Sequence, residues 1–203
     1  MTLSPNVVWQ PGSVDRATRE ATLGMRGATV WFTGLPSSGK STLAAGVEAE
    51  LMELGVPAYV LDGDNLRHGL NGDLGFGSEA RTENVRRTAH VARLFADAGV
   101  VALVSLVSPY AADRGMARSL HEKAGLPFVE VYVNAPLAVC EQRDPKGLYA
   151  RARRGEIVGF TGVDDPYEPP RHAEVEISSA PLPRGVEAVL AALRERGAAA
   201  PSV

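Results

Sequence analysis

Short β-branched runs recur along the chain at Ala28 to Thr33, Ala58 to Asp62, Val100 to Ser108, Phe128 to Asn134 and Val175 to Ser178, and the segments between them have helical character. After the first run, Leu43, Val47, Leu51 and Leu54 fall at i, i+4, i+8 and i+11 on one helix face, and Gly55 stands where a left-handed cap would end it. Near the C-terminus Val186, Val189, Leu190 and Leu193 repeat the device, with Gly197 closing the helix. Strands that alternate with helices predict an α/β fold, a mainly parallel five-stranded sheet with helices on both faces. In such sheets ligands bind beyond the carboxyl ends of the strands, so residues just after each strand are the candidates for chemistry.

Two segments stand outside this rhythm. Residues 1–25 are polar, carry Pro11 and Gly12, and read as an N-terminal arm with a short helix around Asp15 to Leu23, which leaves 26–203 as one domain. From Asp144 to Pro170 the chain is rich in Gly, Pro, Arg and Asp with little apolar periodicity. That length suits either a disordered insertion or a lid over about 144–170, of the kind a phosphotransferase needs to keep water from the transferred group.

Composition narrows the partners. The 203 residues can bury one sizeable core, and a net charge of −3 speaks against a nucleic-acid binder. Cys140 is the only cysteine and reads as a small buried hydrophobe in a reducing compartment. No apolar stretch approaches the roughly 20 residues of a membrane span, and the N-terminus has no secretory pattern, so the expectation is a cytoplasmic protein without membrane contact. His68, His90, His121 and His172 are scattered without metal-ligand spacing, so no structural zinc is implied.

The most specific chemistry is Gly34-Leu35-Pro36-Ser37-Ser38-Gly39-Lys40-Ser41, which matches G-x-x-x-x-G-K-[ST] directly after a buried strand and before a helix. Its glycines let backbone N–H groups turn toward phosphates at a helix N-terminus, Lys40 would reach the terminal phosphates, and the Ser41 hydroxyl would ligate Mg²⁺. The chain is therefore expected to bind a nucleoside triphosphate. Asp62 and Asp64 close the second strand; on an extended chain, carboxylates at i and i+2 face opposite sides, so one is assigned to the Mg²⁺ shell and the other, Asp64, to an acceptor hydroxyl. A plain turn is the competing reading of Asp62-Gly63-Asp64-Asn65.

Arg67, Phe76, Arg81 and Asn84 follow, with Arg81 and Asn84 on one face if their segment is helical. Such a set is either a solvated face or a recognition site for an anionic nucleotide, the guanidinium pairing with acidic oxygens and the ring stacking on a base. Val107 and Ser108 end the third strand at the same rim, where the hydroxyl can bond a substrate, accept a phosphoryl group, or cap the following turn.

Taken together, the phosphate loop, Asp62-Gly63-Asp64-Asn65-Leu66-Arg67-His68-Gly69-Leu70, Asp73-Leu74-Gly75-Phe76, Arg81 to Arg87, Ser108-Pro109-Tyr110, Arg143-Asp144-Pro145-Lys146-Gly147-Leu148-Tyr149 and Gly159-Phe160-Thr161-Gly162 resemble the adenylylsulfate kinases in order and content. The arm Asn6-Val7-Val8-Trp9 is similar to that of the stand-alone bacterial enzymes. The resemblance implies transfer of the ATP γ-phosphate to the 3′-hydroxyl of adenosine 5′-phosphosulfate, with ATP and Mg²⁺ required. It implies an ATP site of Gly34 to Thr42 with Arg143, and Mg²⁺ at Ser41 and Asp62. The phosphosulfate nucleotide would lie against Asp64, Arg67, Arg81, Asn84, Val107 and Ser108, with its adenine between Phe76 and Phe160 and Lys146 acting from the lid. It implies catalytic roles for Lys40, Asp62, Asp64, Ser108 and Lys146, a homodimer, and a candidate partner in ATP sulfurylase.

Two features depart from the family pattern. Pro36 stands where serine is more frequent and has no N–H to offer a phosphate, and Ala111-Ala112 replace basic residues after Tyr110. Two other readings stay open at this level, a related phosphate-loop kinase acting on a different nucleotide-like acceptor and a non-catalytic nucleotide-binding regulatory module. Against a GTPase switch, no N-K-x-D sequence is present.

Overall fold

Ala28 to Thr33 form β1, every residue of which is buried, as expected of a central parallel strand covered on both faces. A computed structural model describes residues 6–8, 10, 12–178 and 180–198. Its other strands are β2 (Ala58–Asp62), β3 (Val101–Ser105), β4 (Phe128–Val133) and β5 (Val175–Ile177). They pair in the order β2-β3-β1-β4-β5, all parallel, with Val30 of β1 opposite Leu103 on one side and Val129 on the other.

Alternation along β1 separates two cores. Val30 and Phe32 face a layer made by α2 (Lys40–Glu53) and α8 (Leu182–Glu195), where Val47, Leu51, Val189 and Leu193 are fully buried. Trp31 faces the opposite layer of α4 (Ser78–Asp97) and α5 (Ala111–Lys123), filled by Val85, Ala89, Ala92 and Ala117. The helix leaving β1 thus covers one face and the helix leaving β3 the other, so the neighbouring carboxyl ends diverge and open a crevice. Among the described residues no helix is long and apolar enough to cross a membrane.

The expected helix near the N-terminus is α1 (Arg16–Leu23), capped by the Asp15 carboxylate accepting from Thr18 N at 2.8 Å. It is tied to the domain by Arg16 and Arg19, both paired with Asp97. Trp9 and Pro11 lie outside the described residues.

Three expectations need correction. Leu54 is 48% exposed, because α2 stops at Glu53 and the i+11 position has already left the helix. The third strand stops at Ser105 rather than Ser108: β2 pairs no further than Asp62, and Ser108 takes a φ of 39° ahead of Pro109. Residues 144–170 are not featureless, since α6 (Leu137–Arg143) leads into α7 (Leu148–Arg153) and Cys140, Tyr149, Ala152 and Phe160 bury one another in a small third cluster. The short helix α3 (Gly63–Leu66) also follows β2 directly.

His121 of α5 is fully buried, with Nδ1 2.8 Å from the Ala117 carbonyl and Nε2 2.9 Å from Thr29 Oγ1. A carbonyl only accepts, so Nδ1 carries the proton and Nε2 receives the threonine hydroxyl. Burial pushes the ring's pKa below its ordinary 6.5. The folded ring stays neutral where the unfolded ring protonates, so this contribution is intact above about pH 6.5 and is lost as pH falls. The melting temperature should drop between about pH 7 and 5.5, and the drop should be shallower in His121→Gln. His90 is shifted downward too, mainly by burial, so His90→Gln is the companion variant for the same calorimetric series.

Candidate active site

The crevice is a cleft of about 750 Å³ at the carboxyl ends of β1, β2 and β3. Its donor side is the loop between β1 and α2. Gly34 has φ 150°, and a Cβ there would meet the Val133 carbonyl oxygen at 2.5 Å, so the first loop position must be glycine. Gly39 turns the chain into α2 with φ 106°. Among the described residues no carbonyl accepts from the amides of Gly39, Lys40 and Ser41, which leaves a ring of donors at a helix N-terminus.

Pro36 does not collapse this cradle. Its carbonyl accepts from Tyr149 Oη at 3.0 Å, so the residue without an N–H fastens the loop to α7. Lys40 Nζ donates to the Gly34 and Leu35 carbonyls at 3.1 and 2.7 Å. Burial lowers its pKa to about 8, opposed by the nearby carboxylates of Asp62 and Asp64. Arg143 donates to the Ser38 carbonyl at 3.1 Å from across the cleft. Of the expected donor-site residues, Pro36 to Thr42 and Arg143 line the cleft, whereas Gly34 is buried behind the loop and Leu35 packs into the third cluster.

Ser41 Oγ donates to Asp62 Oδ2 at 2.7 Å and lies 3.2 Å from Ser105 Oγ. A hydroxyl beside a single carboxylate, adjacent to a phosphate cradle, fits a hard octahedral cation that takes most of its ligands from water and phosphate. Asp62 also accepts from Asp64 N at 2.9 Å, so it caps α3. The expectation that Asp62 and Asp64 face opposite sides fails, because the chain turns helical at Gly63 and both carboxylates line the same cleft. Asp64 is paired with Lys146, which reaches over from the segment before α7.

The acceptor side is cationic and aromatic. Arg81 and Asn84 stand three residues apart on α4, one face as expected, and both line the cleft with Arg67. Arg81 donates to the Phe76 carbonyl at 2.9 Å and the Gly159 carbonyl at 2.7 Å, joining α4 to residues 144–170. Arg67 holds the Leu74 and Gly75 carbonyls and lies 4.1 Å above the ring of Phe76. Partial burial, and next the nearby Arg81 guanidinium, lower the pKa of Arg67. Two cations that repel in a shared cleft define a place where an anion is stabilised. Phe76 is 64% exposed, and Phe160 is buried edge-on to Tyr149 at 5.0 Å.

Val107 and Ser108 line the cleft floor, and Ser108 is buried with its hydroxyl engaged. Ser108 Oγ accepts from Trp31 Nε1 at 3.1 Å and donates to Thr33 Oγ1 at 2.9 Å. Of the three roles open to it, this geometry favours holding the strand-to-helix turn. Arg151, Arg153 and Arg154 pair with Glu156, Glu141 and Glu156 and do not line the cleft, which makes them a solvated face.

Sequence reasoning missed Ser105, Tyr149 and Arg114. Buried Arg114 donates to the Glu130 carboxylate and to the Ser108 and Glu168 carbonyls, clamping the turn after β3 to the far end of residues 144–170. Nothing in a single chain marks these as different from ordinary core or turn residues. Ser105 in particular was placed inside the third strand and becomes a strand end only in the structure.

A phosphate cradle, a hydroxyl-carboxylate pair beside it and a cationic pocket facing it define a phosphate-loop kinase. The model of the adenylylsulphate kinase family matches residues 26–178, and the chain belongs to that family. It is 54% identical to the adenylyl-sulfate kinase of Clostridium acetobutylicum over 176 residues, covering 87% of this chain and 86% of that one. It is 47% identical to the probable adenylyl-sulfate kinase of Bacillus subtilis, covering 97% and 99%. Among solved structures, the Mycobacterium tuberculosis APS kinase CysC in complex with AMPPNP and APS superposes with a TM-score of 0.81 at 52% identity, over 84% of this chain and 99% of that one.

Ser108→Ala strands the Trp31 indole N–H in the core, so it should lower unfolding free energy by about 1–3 kcal/mol. Urea denaturation followed by tryptophan fluorescence reads this directly, and an unchanged midpoint contradicts the structural role.

Proposed function

We propose that the protein is an adenylylsulfate kinase, transferring the γ-phosphate of ATP to the 3′-hydroxyl of adenosine 5′-phosphosulfate to give 3′-phosphoadenosine 5′-phosphosulfate and ADP. The observation that carries this reading is the pairing of Arg67, Arg81 and Asn84 with Phe76 and Phe160 in one cleft with Lys40, Ser41 and Asp62. An anionic, base-bearing acceptor matches that half, and an acceptor without a charged tail leaves two arginines uncompensated. The relative solved with AMPPNP and APS supports an ATP-type donor and an adenylylsulfate acceptor.

On this reading the backbone amides of the phosphate loop and Lys40 bind the ATP phosphates, while Arg143 covers the donor side. Ser41 and Asp62 hold Mg²⁺, which would neutralise charge on the phosphates. Asp64 orients the 3′-hydroxyl and receives its proton as the new oxygen–phosphorus bond forms and the bond to ADP breaks. Lys146 sits at this carboxylate and stabilises charge on the transferring group. Phosphoryl transfer has a loose transition state, so positioning and charge stabilisation do most of the catalysis. Residues 144–170 act as a lid that carries Lys146 and Phe160 and excludes water. Direct transfer leaves Ser108 as a support for the turn and not a phosphoryl carrier. A cytoplasmic homodimer, with ATP sulfurylase as its candidate partner, completes the proposal.

Initial rates over a panel of nucleotides test it: adenylylsulfate should be phosphorylated, and turnover of other nucleotides without adenylylsulfate would overturn the assignment. Binding of both nucleotides without turnover would favour the regulatory module. Lys146→Ala should lower kcat by about 10²-fold or more with little change in the KM for ATP. Arg81→Ala should raise the KM for adenylylsulfate about 10- to 100-fold.

A further inference from the structure

Asn84 lines the acceptor half of the cleft, but the direction of its amide is set from behind by Asn71, which is fully buried and does not line the cleft. The hydrogen bonds fix the orientation step by step. Thr88 Oγ1, one turn along α4, donates to the Asn84 carbonyl at 2.8 Å. Its only proton is then in use, and toward Asn71 it can only accept. Asn71 therefore turns its nitrogen to that side, 3.5 Å from Thr88 Oγ1, and the same Nδ2 donates to Asn84 Oδ1 at 2.8 Å. With its oxygen occupied by Asn71, Asn84 is left with Nδ2 for the cleft, and that nitrogen has no protein partner among the described residues.

Asn71 Oδ1 is buried and has no partner among the described residues. An orphaned acceptor costs stability, so an apolar residue of similar shape would suit this position better if packing were its only task. What the amide contributes is the hydrogen bond to Asn84.

We propose that Asn71 is a positioning residue that sets the amide polarity of Asn84, so that this wall of the cleft offers a donor and not an acceptor. The inference rests on the reading that this half receives adenylylsulfate. Phosphosulfate oxygens only accept hydrogen bonds; a donor beside Arg81 attracts them, and an amide oxygen in its place repels them.

Steady-state kinetics of Asn71→Leu and Asn71→Asp, with adenylylsulfate and ATP varied separately, tests this. Asn71→Leu frees the Asn84 amide and should raise the KM for adenylylsulfate about tenfold, with the KM for ATP within about twofold of wild type. In Asn71→Asp the carboxylate draws the Asn84 nitrogen toward itself and turns its oxygen to the cleft, which should raise the same KM by about 100-fold. In an Asn84→Ala background, Asn71→Leu should add nothing further. Equal changes in both KM values, an unchanged KM for adenylylsulfate, or additive effects in the double variant would overturn the inference. If the buried carboxylate introduced by Asn71→Asp prevents folding, Asn71→Leu and Thr88→Val decide it, the second removing the acceptor that orients Asn71 and raising the KM for adenylylsulfate alone. Failure of the wild-type protein to turn over adenylylsulfate is a different result, one that removes the functional reading itself.

Discussion

The cleft depends on one steric constraint, the approach of Gly34 to the carbonyl of Val133. Because β1 is buried along its whole length, its end cannot shift to relieve a clash, and the chain must turn there with no side chain. That turn points the loop amides inward and begins α2 at Lys40, so the donors, the lysine and the helix N-terminus converge. The hydroxyl of Ser41 is then carried to Asp62 at the end of β2, two strands away. Donor geometry is thus a consequence of sheet order.

Acceptor geometry is built differently, from side chains that tie separate segments to one another. Arg81 joins α4 to Gly159, Arg67 holds the turn before Phe76, and Arg114 fastens the Ser108 carbonyl to Glu168. Each arginine donates to backbone carbonyls of turns and loops outside the sheet. The cationic wall is consequently also part of the scaffold, and a substitution there combines lost charge with lost positioning.

The sheet was legible in the sequence because buried parallel strands are nearly continuous apolar runs, and the two helical faces read from Leu43, Val47 and Leu51 and from Val186 to Leu193 are buried as expected. Helix and strand ends were less legible: Leu54 and residues 106–108 lie just past the last residues of α2 and β3, where the apolar pattern runs on beyond the element. The residues expected at the cleft are there apart from Gly34 and Leu35, because a phosphate loop and the segments after each strand have fixed positions in such folds. The common side of Asp62 and Asp64 was hidden because α3 spans only Gly63–Leu66. The supports were hidden as well, since Tyr149, Arg114 and Asn71 acquire their roles from residues 113, 16 and 13 positions away.

The small cluster formed by Cys140, Tyr149, Ala152 and Phe160, with Leu35 of the phosphate loop packed against it, bears on the entropy of covering a bound nucleotide. A segment that orders only when substrate arrives gives up about 1–2 kcal/mol of backbone entropy for each residue fixed. Here Cys140, Tyr149, Ala152 and Phe160 already order much of the segment by packing on one another, and Tyr149 fastens it to the Pro36 carbonyl. If these residues cover the nucleotide as proposed, most of the affinity they contribute remains available for aligning the reacting oxygen with phosphorus.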